Sequence, residues 1–339
     1  MAAARDRALV VSTPGDLRLV ERDVPSIGPD EILVRPETVG LCGTDLEIID
    51  GRIDPAYVRY PLVIGHEWAG TVVVARPGSA PAGTRVVVEG ILPCGHCPEC
   101  RAGRTNLCET YAEVGFTRDG AAAEHVAVPA TLAHPLATTV TAEDAALVEP
   151  AAVVYRGLTR SGIGPGQRVL VVGDGTVALL AVRLLGLWSP AEVVVLGRRD
   201  QQAALASAAG AARFTTAPAA AGAGFDLVVE AAGSTDAVLA ALAAARRGGT
   251  VVLLGLPPHG QTAAMAVAET VNNDLCILGS FSYTSSAWND VVTLLNAGRL
   301  RADFLVTHRF PLAAWELAVA TLRDADGPRG KVLLDIPPP

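Results

Sequence analysis

Four cysteines stand at positions 94, 97, 100 and 108, in the pattern CxxCxxC, seven further residues, then Cys. Thiolates this close together can surround one ion. Tetrahedral zinc with four sulfurs suits Cys94, Cys97, Cys100 and Cys108, because it closes a loop with little core of its own; Gly95, Pro98 and Gly103 supply the turns. Two alternatives stay open. Two disulfides need an oxidising compartment and strain the short CxxC spacing. A bacterial iron–sulfur cluster also begins CxxCxxC, but it places its last cysteine three residues on and before proline, whereas here the gap is seven and Glu109 follows. A four-sulfur zinc site leaves no coordination position open, so its role is structural. Cys276, alone in the apolar run 275–279, reads as an inert core thiol.

A second chemistry-bearing pattern follows the apolar run 168–172: Gly173, Asp174, Gly175, Thr176, Val177, Ala178, a GxGxxA turn that opens a helix. Gly173 permits the tight turn, Gly175 lets the backbone approach a pyrophosphate, and Ala178 is small enough for close helix–sheet packing, while the helix N-terminus favours negative charge. This is a dinucleotide-binding turn. Asp174, acidic and beside the expected phosphates, is unexplained by the pattern. Cofactor choice is read at the end of the next strand, VVVLGRRD. Gly197 stands where an acidic residue would pair with the ribose 2′-hydroxyl, and Arg198 and Arg199 offer guanidinium groups to a 2′-phosphate, which favours NADP. NAD is the alternative, with Asp200 as the acidic partner and the two arginines as exposed loop residues.

The elements that must carry these groups fall into two textures. Short β-branched runs separated by turn residues occupy the first half, at 31–35, 70–75, 85–89 and 125–128, and suggest an irregular, mainly β domain. After about residue 150 strands and helices alternate: strands at 168–172, 192–196, 226–230, 250–254 and 275–279, helices at 176–187 and 201–209. Such alternation builds a parallel, doubly wound sheet. A helix at 288–297 and a terminal run at 331–336 follow, and these could rejoin the first domain. The Ala-rich stretch 217–224 reads as a loop, and no repeat period suggests a solenoid.

Composition narrows the class. With 339 residues, half of them hydrophobic and 18% charged, the chain is globular and long enough for two domains. Asp174 and Arg183 interrupt its richest apolar region, 169–188, so no membrane span is expected, and Asp6 and Arg7 stand where a signal peptide needs apolar residues. A cytoplasmic location follows as the expectation. Twenty-seven basic residues against 35 acidic give a net charge of −8 with no basic cluster, which argues against nucleic acid as a partner. Lys331, the only lysine beside many arginines, reads as a compositional bias.

A further set lies apart from the cysteine cluster: Cys42 in GLCGTDLE, His66 and Glu67 in IGHEWAG, and Glu149 in LVEPAA. Singly, each is an ordinary packed or solvated residue. Taken with the nucleotide turn and the four-cysteine lobe, the CGTD and GHExxG motifs make the chain resemble, over nearly its whole length, the zinc-dependent medium-chain dehydrogenase/reductase family of the alcohol dehydrogenase superfamily. The resemblance implies an α/β protein: a GroES-like β catalytic domain over residues 1–150 and 291–339, with a structural zinc lobe at 90–110, and a Rossmann doubly wound parallel sheet over 151–290, the active site lying in the cleft between them. It implies two zinc ions per chain. The catalytic one is held by Cys42, His66 and a third residue, and Glu149 before Pro150 matches the acidic ligand of the sorbitol and threonine dehydrogenase branch. Glu67 matches the neighbouring carboxylate, which ligates transiently. One position stays open for an alcohol oxygen.

Thr44 matches the hydroxyl that starts the family's proton relay. Glu47 stands where a histidine is usual; it carries the proton, holds a cationic group of the substrate, or is only a surface carboxylate. Ala122 replaces a pocket aromatic and implies a wider cavity. The expected activity is hydride transfer between a secondary alcohol (polyol, sugar, cyclitol or amino alcohol) and NADP, with NAD possible, a small alcohol or ketone as substrate, and a homodimer or homotetramer as the assembly. An alcohol or aldehyde reductase is the rival enzyme. A binding protein that kept the fold is the rival of another class; its mark would be loss of Cys42, His66 or Glu149, and all three are present.

Overall fold

A computed structural model of the protein describes residues 5–258, 260–324 and 327–337. The chain divides into two compact units. One runs through Glu149 and includes the segments that begin at Thr284 and at Lys331; the other is Pro150–Tyr283 with the short return ending at Gly330. The division thus falls at 283/284 and not at 290, because the helix Ser285–Asn296, capped by Thr284, packs with the first unit.

The first unit is built on the strand Glu31–Leu41, longer than the run 31–35 suggests and buried along most of its length. It is buried because both edges are taken. Glu67–Val74 pairs along one edge, and Val126–Pro129 and Lys331–Asp335 share the other. Pro36, which has no N–H to give, lies where the ladder with Glu67–Val74 shifts register. Arg85–Val88 and Ala133–Pro135 extend the sheet on one side and Val306–Pro311 on the other. A smaller sheet joins Arg5–Thr13 to Asp16–Asp23 and Leu62–Val63. Its hairpin hides from a hydrophobic pattern because cross-strand charges fill its faces: buried Asp6 is matched by Arg22 at 3.0 Å and faces His125 at 3.2 Å.

The second unit is a six-stranded parallel sheet in the order Arg213–Thr215, Glu192–Leu196, Arg168–Val172, Phe225–Glu230, Ala245–Leu253, Cys276–Gly279. Numbered along the chain this is 3-2-1-4-5-6, the doubly wound dinucleotide-binding topology. Leu170, Val172, Val194, Phe225, Val228 and Val251 form one face of its core. Three sequence expectations change here. The helix expected at 176–187 is α-helical only over Thr176–Leu185 and tightens into a turn over Gly186–Trp188. The Ala-rich stretch contains the short helix Pro218–Ala221. Cys276 is exposed, because its strand is the edge of the sheet and not an interior one.

Candidate active site

Cys42 ends the strand Glu31–Leu41 and caps the helix Gly43–Ile49. Its sulfur accepts the Thr44 amide at 3.3 Å, while its own amide donates to Asp45 Oδ2 at 2.9 Å, a reciprocal cap that fixes where the sulfur points. Glu67 opens the neighbouring strand and pairs with Gly40, and His66 immediately precedes it. Two glycines make the approach possible. Gly65 turns at φ +98°, and a Cβ there would lie 2.6 Å from Val39 Cγ1; a Cβ on Gly40 would lie 2.6 Å from Glu67 Oε2. The two strands therefore deliver ligand atoms of Cys42, His66 and Glu67 to within 4.8 Å of one another.

Cys42 Sγ and His66 Nε2 are 3.2 Å apart. On the opposite side of the ring, Nδ1 faces the buried Asp45 Oδ1 at 3.4 Å, and neither atom has a hydrogen-bond partner among the described residues. A carboxylate behind the imidazole, with the other nitrogen turned to a thiol, is the arrangement of a metal-ligating histidine. Burial pulls the His66 pKa down, but the Cys42 sulfur and the Asp45 carboxylate outweigh it and hold it well above the ordinary value.

Acidic groups crowd the same place. The Glu67 carboxylate is ion-paired with Lys331, the lone lysine of the chain, which is buried and also donates to the Leu41 carbonyl at 3.3 Å. The Tyr111 hydroxyl donates to Glu113, whose carboxyl burial pushes up. Burial also pushes the Glu149 carboxyl up to about 8, with Glu67 and Glu113 adding repulsion and His66 and Lys331 opposing it. Thus four carboxyl groups, those of Asp45, Glu67, Glu113 and Glu149, gather around one imidazole and one ammonium. Negative charge crowded in this way is what a divalent cation relieves. Thiol, imidazole and carboxylate together are donors suited to zinc, so the residues present fit that ion.

Of the residues the sequence singles out, the structure groups Glu67, not Glu149, with Cys42 and His66. Glu67 follows His66 directly and has room beside Gly40, whereas Glu149 comes from the first turn of a separate helix, Val148–Arg160, and meets the group through its charge. Thr44 and Glu47 both lie on the helix Gly43–Ile49, Glu47 half-buried. Ala122 is fully buried in the β core. Its Cβ would lie 3.5 Å from a Cβ on Gly65, so it lines no open cavity. The sequence reading missed Asp45, Tyr111, Glu113 and Phe116, whose ring centroid is 5.0 Å from that of His66. Asp45 alone carried a signal, as the third residue of a cap that begins at Cys42.

The four-cysteine lobe forms a second group, its sulfurs within 4.8 Å of one another. Cys94 and Cys100 sulfurs are 3.9 Å apart, near the roughly 3.8 Å edge of a tetrahedron with zinc–sulfur bonds of about 2.3 Å, and far beyond a disulfide bond. Amides of Cys94, Cys97 and Cys100 donate to the sulfurs of Cys108, Cys94 and Cys97 at 3.3–3.4 Å. The His96 and Cys97 amides hold the Cys94 thiol down to about 6, while burial pushes Cys100 up to about 12. Four thiolates at this spacing call for a counter-charge, and the lobe fits a closed zinc site.

In the second unit, Gly173 turns at φ +129° between Arg168–Val172 and Thr176–Leu185. Gly175 caps that helix, Thr176 and Val177 open it, and Ala178 is buried against the sheet, as the dinucleotide pattern requires. A Cβ on Gly197 would lie 2.6 Å from the Phe214 ring and 2.9 Å from Asp174 Cβ, so no side chain fits there. Asp174 Oδ2 accepts the amides of Arg198 at 2.9 Å and Arg199 at 3.0 Å, and Oδ1 accepts from the Arg199 guanidinium at 2.8 Å. Asp200 accepts instead from the Thr216 hydroxyl at 2.8 Å.

Residues 28–138 match the alcohol dehydrogenase GroES-like domain, and residues 142–326 match the glucose dehydrogenase C-terminus. The chain is 32% identical to a sorbitol dehydrogenase of Gallus gallus over 96% of each chain. Among solved structures, one from Sinorhizobium meliloti 1021, assigned as a zinc-binding dehydrogenase and bound to NADP, aligns with a TM-score of 0.91 at 30% identity over 98% of this chain and 99% of the other. An alcohol dehydrogenase of Escherichia coli CFT073 complexed with NADH aligns with a TM-score of 0.90 at 26% identity, over 98% of this chain and 99% of the other. With the two ligand groups, the dinucleotide turn and these matches in hand, the chain belongs to the zinc-dependent medium-chain dehydrogenase/reductase family, in its sorbitol and threonine dehydrogenase-like branch.

Proposed function

We propose that the protein oxidises a secondary alcohol carried on a polyol, sugar, cyclitol or amino alcohol, passing the hydride to NADP, and reduces the matching ketone in reverse. The observation that carries this reading is the convergence of Cys42, His66 and Glu67 within 4.8 Å, with Glu149 charge-coupled to them. Zinc bound by Cys42, His66 and a carboxylate supplies a Lewis acid that acidifies an alcohol hydroxyl. The chain's own residues do the rest. Asp45 holds the His66 ring with Nε2 toward Cys42, and Lys331 holds the Glu67 carboxylate. The Thr44 hydroxyl is the first acceptor of the alcohol proton, with Glu47 on the same helix as the next. The sorbitol dehydrogenase relative supports a polyol or sugar as the class of substrate.

NADP is preferred because position 197 admits no carboxylate and Arg198 and Arg199 stand beside it. One neighbour is bound to NADP and another to NADH, so the choice rests on these residues. The assembly is a homodimer or homotetramer joined through the sheet edge Cys276–Gly279, near which Val267, Val271 and Phe281 are exposed. Six unpaired cysteines suit a reducing cytoplasm, and among the described residues no helix is long and apolar enough to cross a membrane. A panel of polyols, sugars, cyclitols, amino alcohols and aldehydes, run in both directions with NADP and NAD and followed by reduced-nicotinamide absorbance, tests the reading. Turnover confined to simple aldehydes, or none with any alcohol or ketone, overturns it.

A further inference from the structure

Arg198 and Arg199 are neighbours in sequence, but their side chains are in opposite states. Arg199 lies folded onto Asp174: Nε donates to Oδ2 at 3.3 Å, and Nη2 donates to Oδ1 at 2.8 Å and to the Asp174 carbonyl at 3.3 Å. Its remaining nitrogen, Nη1, is shielded from solvent and has no partner among the described residues. Asp174 is itself 6% exposed, so pulling Arg199 away would strand a nearly buried carboxylate. A guanidinium committed in this way has little to offer an incoming phosphate. The Arg198 side chain is exposed and, among the described residues, makes no hydrogen bond or ion pair, while its amide is pinned by Asp174 Oδ2.

The turn that carries both is also built, not incidental. The buried Gln202 donates to the Asp174 carbonyl at 2.6 Å and to the Arg329 carbonyl at 2.9 Å, and it accepts the Arg329 amide at 2.8 Å. Asp174 and Phe214 together fill the space that a side chain at 197 would need. Asp174 thus empties the position from which a carboxylate would bind a 2′-hydroxyl, and it fixes the backbone from which the next side chain projects.

We propose that the three residues divide the work of cofactor discrimination: Arg198 is the guanidinium that binds the ribose 2′-phosphate, Arg199 is a brace locked on Asp174, and Asp174 is the positioning residue that holds the turn. This rests on the NADP reading above and goes beyond it by separating the two arginines. It also accounts for Asp174 within the glycine turn.

Calorimetric binding of adenosine 2′,5′-bisphosphate and of adenosine 5′-monophosphate to the purified full-length protein isolates the 2′-phosphate, and the thermal midpoint of the unliganded protein is read in parallel. Wild type is expected to bind the bisphosphate at least about tenfold more tightly, the scale of a charge-assisted contact. Arg198→Ala brings the two affinities together and leaves the midpoint unchanged. Arg199→Ala keeps the preference within about twofold of wild type and lowers the midpoint by several degrees. Should that variant not fold, Arg199→Lys, which keeps a charge on Asp174, is expected to retain the preference. A preference that survives Arg198→Ala, or disappears in either Arg199 variant, overturns the division of roles. Wild type binding both nucleotides equally fails the NADP reading itself, a separate result.

Discussion

Lys331 is buried against Glu67, and the same ammonium donates to the carbonyl of Leu41 at 3.3 Å. The C-terminal strand Lys331–Asp335 places it there by pairing antiparallel to the end of Glu31–Leu41, next to Cys42. Burial pulls the pKa of this lysine down, but Glu67, Cys42 and Asp45 outweigh it and hold it above the ordinary value. It is the fixed positive charge of a place otherwise filled with acids. In composition it is only an oddity, one lysine among many arginines.

In the metal-free protein, removing that ammonium leaves Glu67 as a buried, unpaired carboxylate. Lys331→Met is therefore expected to destabilise the first unit by about 3–5 kcal/mol, the usual cost of breaking a buried ion pair from one side. Adding Glu67→Gln should return part of the loss. Urea unfolding of the two single variants and the double variant measures this coupling, and additive effects would show the pair to be unimportant. A single lysine also makes a clean chemical probe. An amine-reactive ester, followed by mass spectrometry, should label Lys331 only after the chain is unfolded.

The cysteine lobe should lose its metal in acid. Without metal, the amides of His96 and Cys97 hold the Cys94 thiol down to about 6, which favours its thiolate, while burial holds Cys100 up to about 12. Metal and proton compete for the same sulfur. Zinc release to a colorimetric chelator should accelerate as the pH falls from neutral into acid, below the metal-free Cys94 value because bound zinc holds the thiolates ionised, and be accompanied by loss of thermal stability. Cys100→Ser should remove one zinc per chain and leave the other, whereas Cys42→Ser should do the converse. A release rate that is flat from neutral to acid would count against a thiolate cage.

The parts of this molecule that could be read in advance share a physical reason. Arg168–Val172 and Glu192–Leu196 are continuous apolar runs because interior parallel strands are covered on both faces, and each was legible to the residue. The same run at 275–279 does not say whether a strand is interior or at an edge, which is why the exposure of Cys276 was invisible. The cysteine lobe was legible because its ligands are local. Cys42 and His66 are 24 residues apart and were legible only through motifs. Tyr111, Glu113 and Lys331 have no motif or period, and their importance appears only when the folded chain sets Tyr111 on Glu113, Glu113 within electrostatic reach of His66, and Lys331 on Glu67.

Zinc binding at the Cys42 group should release protons, and Glu149 should account for one of them. Without the ion its carboxyl sits at about 8, so at neutral pH it holds a proton that a nearby divalent charge would expel. Calorimetric titration of metal-free protein with zinc in buffers of different ionisation enthalpy counts the protons released. Glu149→Gln is expected to release about one fewer than wild type at pH 7, with the difference vanishing above about pH 9, where the wild-type carboxyl is already ionised. Equal counts at pH 7 would show that Glu149 does not sense the ion.

Asp174 provides a pH signature that belongs to the nucleotide turn alone. Burial raises its pKa, but the Arg199 guanidinium and the amides of Arg198 and Arg199 more than offset that and hold it below the ordinary carboxyl value. For a carboxyl depressed in the folded state, the stabilisation is complete above the unfolded pKa, about 3.9, and is lost as pH falls through the lower folded value. Arg199→Ala removes much of the cause of that depression. Its stability deficit relative to wild type should therefore be full at pH 6–7 and shrink as the pH falls into the acid range toward the depressed folded value, where wild type protonates Asp174 and gives up the same interaction. Urea midpoints for both proteins across this range measure it. A deficit that stays constant into acid would mean that Arg199 stabilises the turn by packing and not through the Asp174 charge.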